Sequence, residues 1–206
     1  EVIDDDVYFP DYDYITIVWP RDDDCFYSGV AFISFINWDT DDGYAFLGVH
    51  LLNGVESIDD GVGNHELGHN FGLLHANYWD CGDESLGLAC GSVEYGDNFD
   101  TMGGARNKGH YNAPHKELIS WLEPSNILEV SPTDEEVTYT IEGYETYSQG
   151  VQAIDIPYNG PYGEGGEHYY LEYRRPIGYD SLAADDFGSD VHDGLMIHFH
   201  HYYGTG

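Results

Sequence analysis

The run His65-Glu66-Leu67-Gly68-His69-Asn70-Phe71-Gly72-Leu73-Leu74-His75 constrains this chain more than any other feature. It reads HExxHxxGxxH, and each fixed position has a geometric consequence. His65 and His69 are four residues apart, so on an α-helix they stand about 40° apart on one face, one turn above the other. Two imidazoles so placed hold a single zinc ion at about 2.0–2.1 Å each. Glu66 follows the first ligand and points toward the same cleft, where a carboxylate accepts a proton from a metal's water. Gly72 predicts a left-handed turn that ends the helix, a conformation a side chain would obstruct. The chain then reverses, and His75 becomes a third ligand from outside the helix. Three protein ligands leave a fourth position open, the arrangement of a catalytic rather than a structural zinc site. Five fixed residues at this spacing arise by chance on the order of once in 10,000 chains of this length.

The rest of the chain reads as α+β. Tyr14 to Trp19, Val30 to Trp38 and Tyr44 to Leu52 are β-branched, aromatic runs bounded by Asp- and Gly-rich turns, and they predict strands. Asp59-Asp60-Gly61 offers helix N-cap chemistry before a helix over Val62 to Leu74. Residues 76–110 are rich in Gly, Asp and Asn and read as a long loop carrying the site. Pro114 to Leu122 predicts a short second helix ended by Pro124. Beyond Pro132 only strand-like segments remain, namely Val137 to Ile141, Val151 to Ile156, His168 to Arg174 and Leu195 to His200. The reading is a domain over 1–125 followed by a small all-β, sandwich-like unit over 126–206.

The extended histidine motif resembles that of the metzincin metallopeptidases, and Asp100-Thr101-Met102-Gly103-Gly104 resembles the tight methionine turn that lies beneath the metal in that group. Within the group, the stretch from Asn64 to Leu122 is most similar to the gametolysin family. The cues are the motif continued as Leu73-Leu74-His75-Ala76, Tyr95-Gly96-Asp97 before the turn, and Tyr111-Asn112-Ala113-Pro114-His115-Lys116 leading to Trp121-Leu122. The resemblance implies a catalytic domain built of a twisted sheet and an active-site helix. It implies a secreted zinc-dependent endopeptidase acting on protein or glycoprotein substrates. One catalytic zinc would be held by His65, His69 and His75, with Glu66 as general base. Some metzincins carry a tyrosine two residues after the methionine; here that position is Gly104, and Tyr111 is a candidate oxyanion or substrate contact, with a packing aromatic the favoured reading. Gametolysin itself is associated with Gln at the first motif position, where this chain has the ordinary ligand His65. The alternative is a catalytically weak module of the same fold used for adhesion or binding. An intact Glu66 argues against it, because a binder has no use for a general base.

Charge narrows the partners. The chain has 39 acidic and 6 basic residues, a formal net charge of -33. Phosphate contacts need cations, so nucleic acid and anionic membrane surfaces are excluded as partners. No apolar run approaches the roughly 20 residues of a bilayer span. The acidity is spread evenly over both parts of the chain rather than gathered in a tail or cleft. It reads as adaptation to a saline medium, with plain solubility the alternative. A monomer is expected. Hydrophobic residues make up 41% of the chain, enough to bury a core.

Of the three cysteines, Cys81 and Cys90 flank a Gly-rich stretch suited to a local disulfide, which leaves Cys25 free or paired elsewhere. Asp39, Asp41 and Asp42 before Gly43, and Asp22 to Asp24, are candidate calcium ligands. No EF-hand spacing supports them, and solvated acidic loops are the other reading. His198, His200 and His201 read as surface or interface histidines, with metal binding the lesser alternative. The chain starts without an initiator Met or a signal peptide and ends directly after a strand, so a processed piece of a longer protein is expected.

Overall fold

A computed structural model describes residues 7–59, 61–83, 90–104, 109–131, 133, 135–158, 166–182 and 192–201. Both termini, on which the expectation of a processed piece rests, lie outside these residues. The fold is α+β, with more sheet than helix among the described residues. The chain divides into two compact units, 1–108 and 109–206. The break falls earlier than the expected 125/126 boundary. The reason is packing: Ala113 and Leu122 share one buried cluster with Ala153 and Tyr170, so the segment after residue 108 belongs to the second unit's core.

In the first unit the long strand β4 (Gly43–Asn53) is the spine. β1 (Tyr14–Trp19) pairs with it in parallel, Tyr14 opposite Gly48 and Trp19 opposite Asn53. β2 (Gly29–Ala31) and β3 (Ile36–Thr40) pair with it antiparallel. The apolar run from Val30 to Trp38 is therefore two strands rather than one. Ala31 sits opposite His50 and Ile36 opposite Leu47, so residues 32–35 bulge out opposite Gly48 and Val49, with Ser34 at a left-handed φ of 66°. Alternation along β4 sorts its faces. Ala45, Leu47 and Val49 form a buried cluster flanked by Phe9, Ile15 and Leu51. His50 points the other way, to α2 (Val62–Asn70), which follows the one-turn α1 (Glu56–Asp59). Residues 76–110 are not wholly loop: β5 (Tyr78–Asp80) and β6 (Gly91–Val93) form a hairpin.

The second unit is a sheet in the order β10-β9-β8-β7, built from β7 (Ile127–Glu129), β8 (Ala153–Tyr158), β9 (Glu167–Glu172) and β10 (Met196–His201). β7 and β8 are parallel and the other pairs antiparallel. Helix α3 (Ala113–Leu118) packs on β9, its N-terminus capped by Asn112, whose side chain accepts from His115 N–H at 3.0 Å. The expected strand Val137 to Ile141 forms no ladder; Val137 and Tyr139 are exposed, and alternation without a partner strand does not make a sheet.

The core of this unit is charged. Glu172, Arg174 and Asp180 are each at most 1% exposed. Arg174 donates to Glu172 Oε1 at 2.6 Å and reaches Asp180 Oδ1 at 3.5 Å. His198 Nε2 lies 3.0 Å from the same Glu172 oxygen, and the Ala113 N–H donates to Oε2 at 2.7 Å. His198 is thus a buried partner of a carboxylate rather than a surface histidine. Burial by itself would push the Glu172 carboxyl up; Arg174 and His198 outweigh it and hold it well below the usual carboxylate range. Lys116 is buried too, with Nζ 3.7 Å from the centre of the Tyr144 ring and donating to the Tyr144 carbonyl at 3.2 Å.

Candidate metal centre

Helix α2 does not bury an apolar stripe. Its buried residues are Val62, His65, Glu66, Gly68, His69 and Asn70, a mostly polar set. Buried polar groups persist only when their hydrogen bonds are made, and here they are. Asn70 Nδ2 donates to the carbonyls of Phe32 and Val49 at 2.9 and 3.0 Å, while its Oδ1 lies 2.8 Å from His50 Nδ1. The other nitrogen of His50 meets Thr16 Oγ1 at 2.8 Å, and Ser34 N–H donates to the His69 carbonyl at 2.7 Å. These contacts tie α2 to β1, to β4 and to the 32–35 bulge.

The helix stops at Asn70, four residues short of the expected Leu74, and its start is capped by Gly61 in the left-handed region rather than by an aspartate side chain. Its end has the hydrogen bonds of a Schellman motif: Leu73 N–H donates to the Gly68 carbonyl at 3.0 Å and Gly72 N–H to the His69 carbonyl at 2.8 Å. Gly72 has φ +96°, the left-handed conformation this turn demands. The reversal carries His75 back beside the helix.

His65, His69 and His75 converge, one ligand atom from each lying within 4.8 Å of the others. The outer nitrogen of every ring is held. His65 Nδ1 meets the Thr101 carbonyl at 2.9 Å, His69 Nδ1 the Leu73 carbonyl at 2.8 Å, and His75 Nδ1 the Glu94 carboxylate at 2.8 Å. An acceptor at Nδ1 places a ring proton there and turns each Nε2 toward the common point; the Nε2 atoms of His69 and His75 are 3.1 Å apart. Burial, the largest cause, lowers His65 to about 4 and so keeps it neutral at neutral pH. Three imidazoles turned to one point could hold a metal ion.

Glu66 stands beside them. Burial raises its carboxyl to about 7. Strand β2 crosses directly over it at Gly29, where a Cβ would fall 2.6 Å from Glu66 Oε1 and 2.7 Å from Val62 Cγ1. Only a glycine lets the strand pass this close to the carboxylate.

Met102 is fully buried in the tight turn expected there. Asp100 shapes the turn, its side chain accepting from Met102 N–H and its carbonyl from Gly103 N–H. The turn holds both flanks of the motif, Thr101 through His65 and the Met102 carbonyl through Ala76 N–H at 2.8 Å. Cys81 and Cys90 are bridged and Cys25 is free. Tyr111 lies in the second unit, buried, edge-on to Trp121 at 5.6 Å. Asp22 to Asp24 and Asp39, Asp41 and Asp42 are not drawn into a ligand cluster; among the described residues the three histidines form the one such group.

Two contributors escape the sequence reading. Glu94 is 19 residues from His75 in the chain and carries no pattern of its own. Tyr95 enters only as part of Tyr95-Gly96-Asp97, yet its ring lies 3.9 Å from the His75 ring and 5.8 Å from that of His65. Comparison with known family models, curated proteins and solved structures gives no match.

Proposed function

We propose that this protein is a zinc-dependent endopeptidase with Glu66 as its general base. The observation that carries the reading is the convergence of His65, His69 and His75, each anchored through Nδ1, beside the buried carboxyl of Glu66. When bound, zinc supplies a Lewis acid that polarises a scissile carbonyl and acidifies water. His65, His69 and His75 hold it, and their carbonyl and carboxylate partners fix the ring orientations. Glu66 accepts the proton of the attacking water and returns it to the leaving amine. Burial raises this carboxyl in the metal-free protein, the direction that suits a group that must both take and return a proton. A module used only for binding gains nothing from such a carboxyl, since burying it costs free energy.

The same reading takes in the setting. A disulfide between Cys81 and Cys90 suits an oxidising, extracellular compartment, and the acidic surface suits a saline one. The substrates are then proteins or glycoproteins, and metzincin-like catalysis is the chemistry. Metal analysis combined with casein or gelatin digestion tests it. About one zinc per chain is expected, with digestion abolished by a chelator and restored by zinc. Glu66→Ala is expected to keep the metal and lose nearly all turnover. Digestion that survives metal removal, or a Glu66→Ala protein that keeps most of its activity, overturns the assignment.

A further inference from the structure

The third ligand is the exposed one. The His75 side chain is 24% accessible, whereas His65 and His69 are buried in the helix face. It also stands outside the helix, on the segment that follows the Schellman turn, so the helix backbone does not set its ring. Two neighbouring residues do. Glu94 Oε1 accepts from His75 Nδ1 at 2.8 Å, and the Tyr95 ring lies against the imidazole, 3.9 Å between centroids at 36°. One fixes the ring in its plane and the other covers its face.

The segment that delivers this pair is itself restrained. Glu94 and Tyr95 follow β6 directly, and β6 is paired to β5 with Tyr78 opposite Val93 and Asp80 opposite Gly91. The Cys81–Cys90 disulfide closes the far end of this hairpin. Tyr95 has φ 60°, a left-handed conformation that a non-glycine residue adopts at a cost. Its N–H donates to Asn77 Oδ1 at 3.1 Å, and beyond it Asp97 N–H donates to the Ala76 carbonyl at 3.3 Å. The left-handed residue is therefore pinned on both sides to the segment that bears His75.

We propose that Glu94 and Tyr95, carried on the disulfide-closed hairpin, are positioning residues that orient His75 and thereby set the affinity of the three-histidine centre for its metal. The clamp rests on the metal reading of this site and deepens it. Glu94 acts through charge as well as geometry. A carboxylate on the outer nitrogen makes the opposite nitrogen a better donor, and outer partners of this kind are worth about 10–100-fold in metal affinity. Tyr95 acts through ring contact, so its hydroxyl is dispensable for this role.

The test is zinc titration of the metal-free protein against a chromophoric chelator, with cobalt(II) absorption in the visible as a second readout of ligand geometry. Glu94→Ala should weaken zinc binding about 10–100-fold. Glu94→Gln, which keeps an acceptor but loses the charge, should fall between it and the wild type. Tyr95→Phe should match the wild type in affinity and cobalt spectrum, while Tyr95→Ala should weaken binding and shift the spectrum. Glu94→Gln and Tyr95→Phe keep side-chain volume, and they carry the test if an alanine variant fails to fold. Wild-type affinity in both Glu94→Ala and Tyr95→Ala, beside loss of binding in His75→Ala, overturns the clamp and leaves the metal centre standing. A wild-type protein that takes up no zinc removes the metal reading, and the clamp with it.

Discussion

The polar interior of the first unit is mostly imidazole and amide, with Glu66 and Asp100 its buried carboxyls, and that of the second is a cluster of ion pairs, although both units are drawn from one acidic chain. Around α2 the buried side chains include the imidazoles of His50, His65 and His69, the amide of Asn70 and the carboxyl of Glu66; Thr16, His50 and Asn70 form one line, and the Nδ1 atoms of His65, His69 and His75 are spent on oxygen acceptors. Around β9 the buried groups are Glu172, Arg174, Asp180 and Lys116. The difference lies in where the unused valence goes. In the first unit His50 has both ring nitrogens engaged, whereas His65, His69 and His75 are anchored through Nδ1 and turn Nε2 toward one point. In the second, Arg174 and His198 meet Glu172 directly, so the charges are answered from within. Imidazoles anchored at one nitrogen leave the other for a ligand, and paired charges consume their capacity.

The strongest test of that contrast replaces a buried ionisable group by its nearest neutral isostere in each unit. Glu66→Gln should cost about 10²–10⁴ in turnover, the usual share of a general base. Zinc should stay bound and the denaturation midpoint should not fall, because a neutral amide escapes the burial cost that raises the Glu66 carboxyl. Arg174→Met should do the reverse. It leaves Glu172 and Asp180 buried without their cation, and breaking one partner of such a cluster costs about 3–5 kcal/mol. Urea unfolding reads both variants. A loss below about 1 kcal/mol in Arg174→Met would mean that water reaches the cluster and that the two interiors are alike.

The pH dependence of the second unit follows from Lys116. Burial, the largest cause, pushes it down to about 8 from 10.5, with Glu172, Arg174, Asp180 and Glu145 the charged groups around it. Between those values the unfolded chain keeps a proton that the folded chain has released. The unfolded state then binds more protons, so stability rises with pH across that window and is flat below it. Measured as the difference between wild type and Lys116→Met, which cancels the other groups, the rise should appear from about pH 8 to 10.5. A difference that is level or falls there contradicts the burial of the ammonium.

What was legible in the sequence was local. Spacing alone brings His65, His69 and His75 into one list, because a helix and one glycine turn fix their relation within eleven residues. The disulfide across nine residues is local in the same sense. The missing parts depend on contacts between distant segments. Glu94 reaches His75 through a hairpin whose Gly- and Asp-rich flanks look like loop. Ser34 breaks one apolar run into two strands because the bulge bonds to the His69 carbonyl. Glu172 and Arg174 alternate in the expected strand His168 to Arg174 like any half-exposed pair, and nothing local says that they are buried; the strand itself ends at Glu172.

A smaller effect probes the neutral network. Asn70→Ala removes two donors and the partner of His50 Nδ1, leaving the carbonyls of Phe32 and Val49 and the imidazole of His50 to find substitutes. Leaving buried polar groups unsatisfied costs about 1–3 kcal/mol. Zinc affinity should fall with it, since Asn70 holds the end of α2 next to His69. A variant as stable as wild type would show the helix held by other means.

Salt should produce the smallest shift, and it separates surface from interior. Among the described residues, Lys116 and Arg174 are buried, Arg175 pairs with Glu145, and Arg21 pairs with Asp23 and Glu56. Most surface carboxylates therefore have no cation to meet, and the net charge of -33 is largely repulsion. Raising sodium chloride from about 0.1 to 1 M shortens the screening length from about 10 Å to about 3 Å. The melting temperature should rise by a few degrees, about what 1 kcal/mol of relieved repulsion gives in a chain of this size. The stability gap between wild type and Arg174→Met should stay constant through the same titration, because buried pairs are screened far less than exposed ones. A melting temperature that falls steadily with salt removes the saline-adaptation reading. A gap that closes with salt places the Arg174 cluster in contact with water and erases the contrast with the imidazole centre.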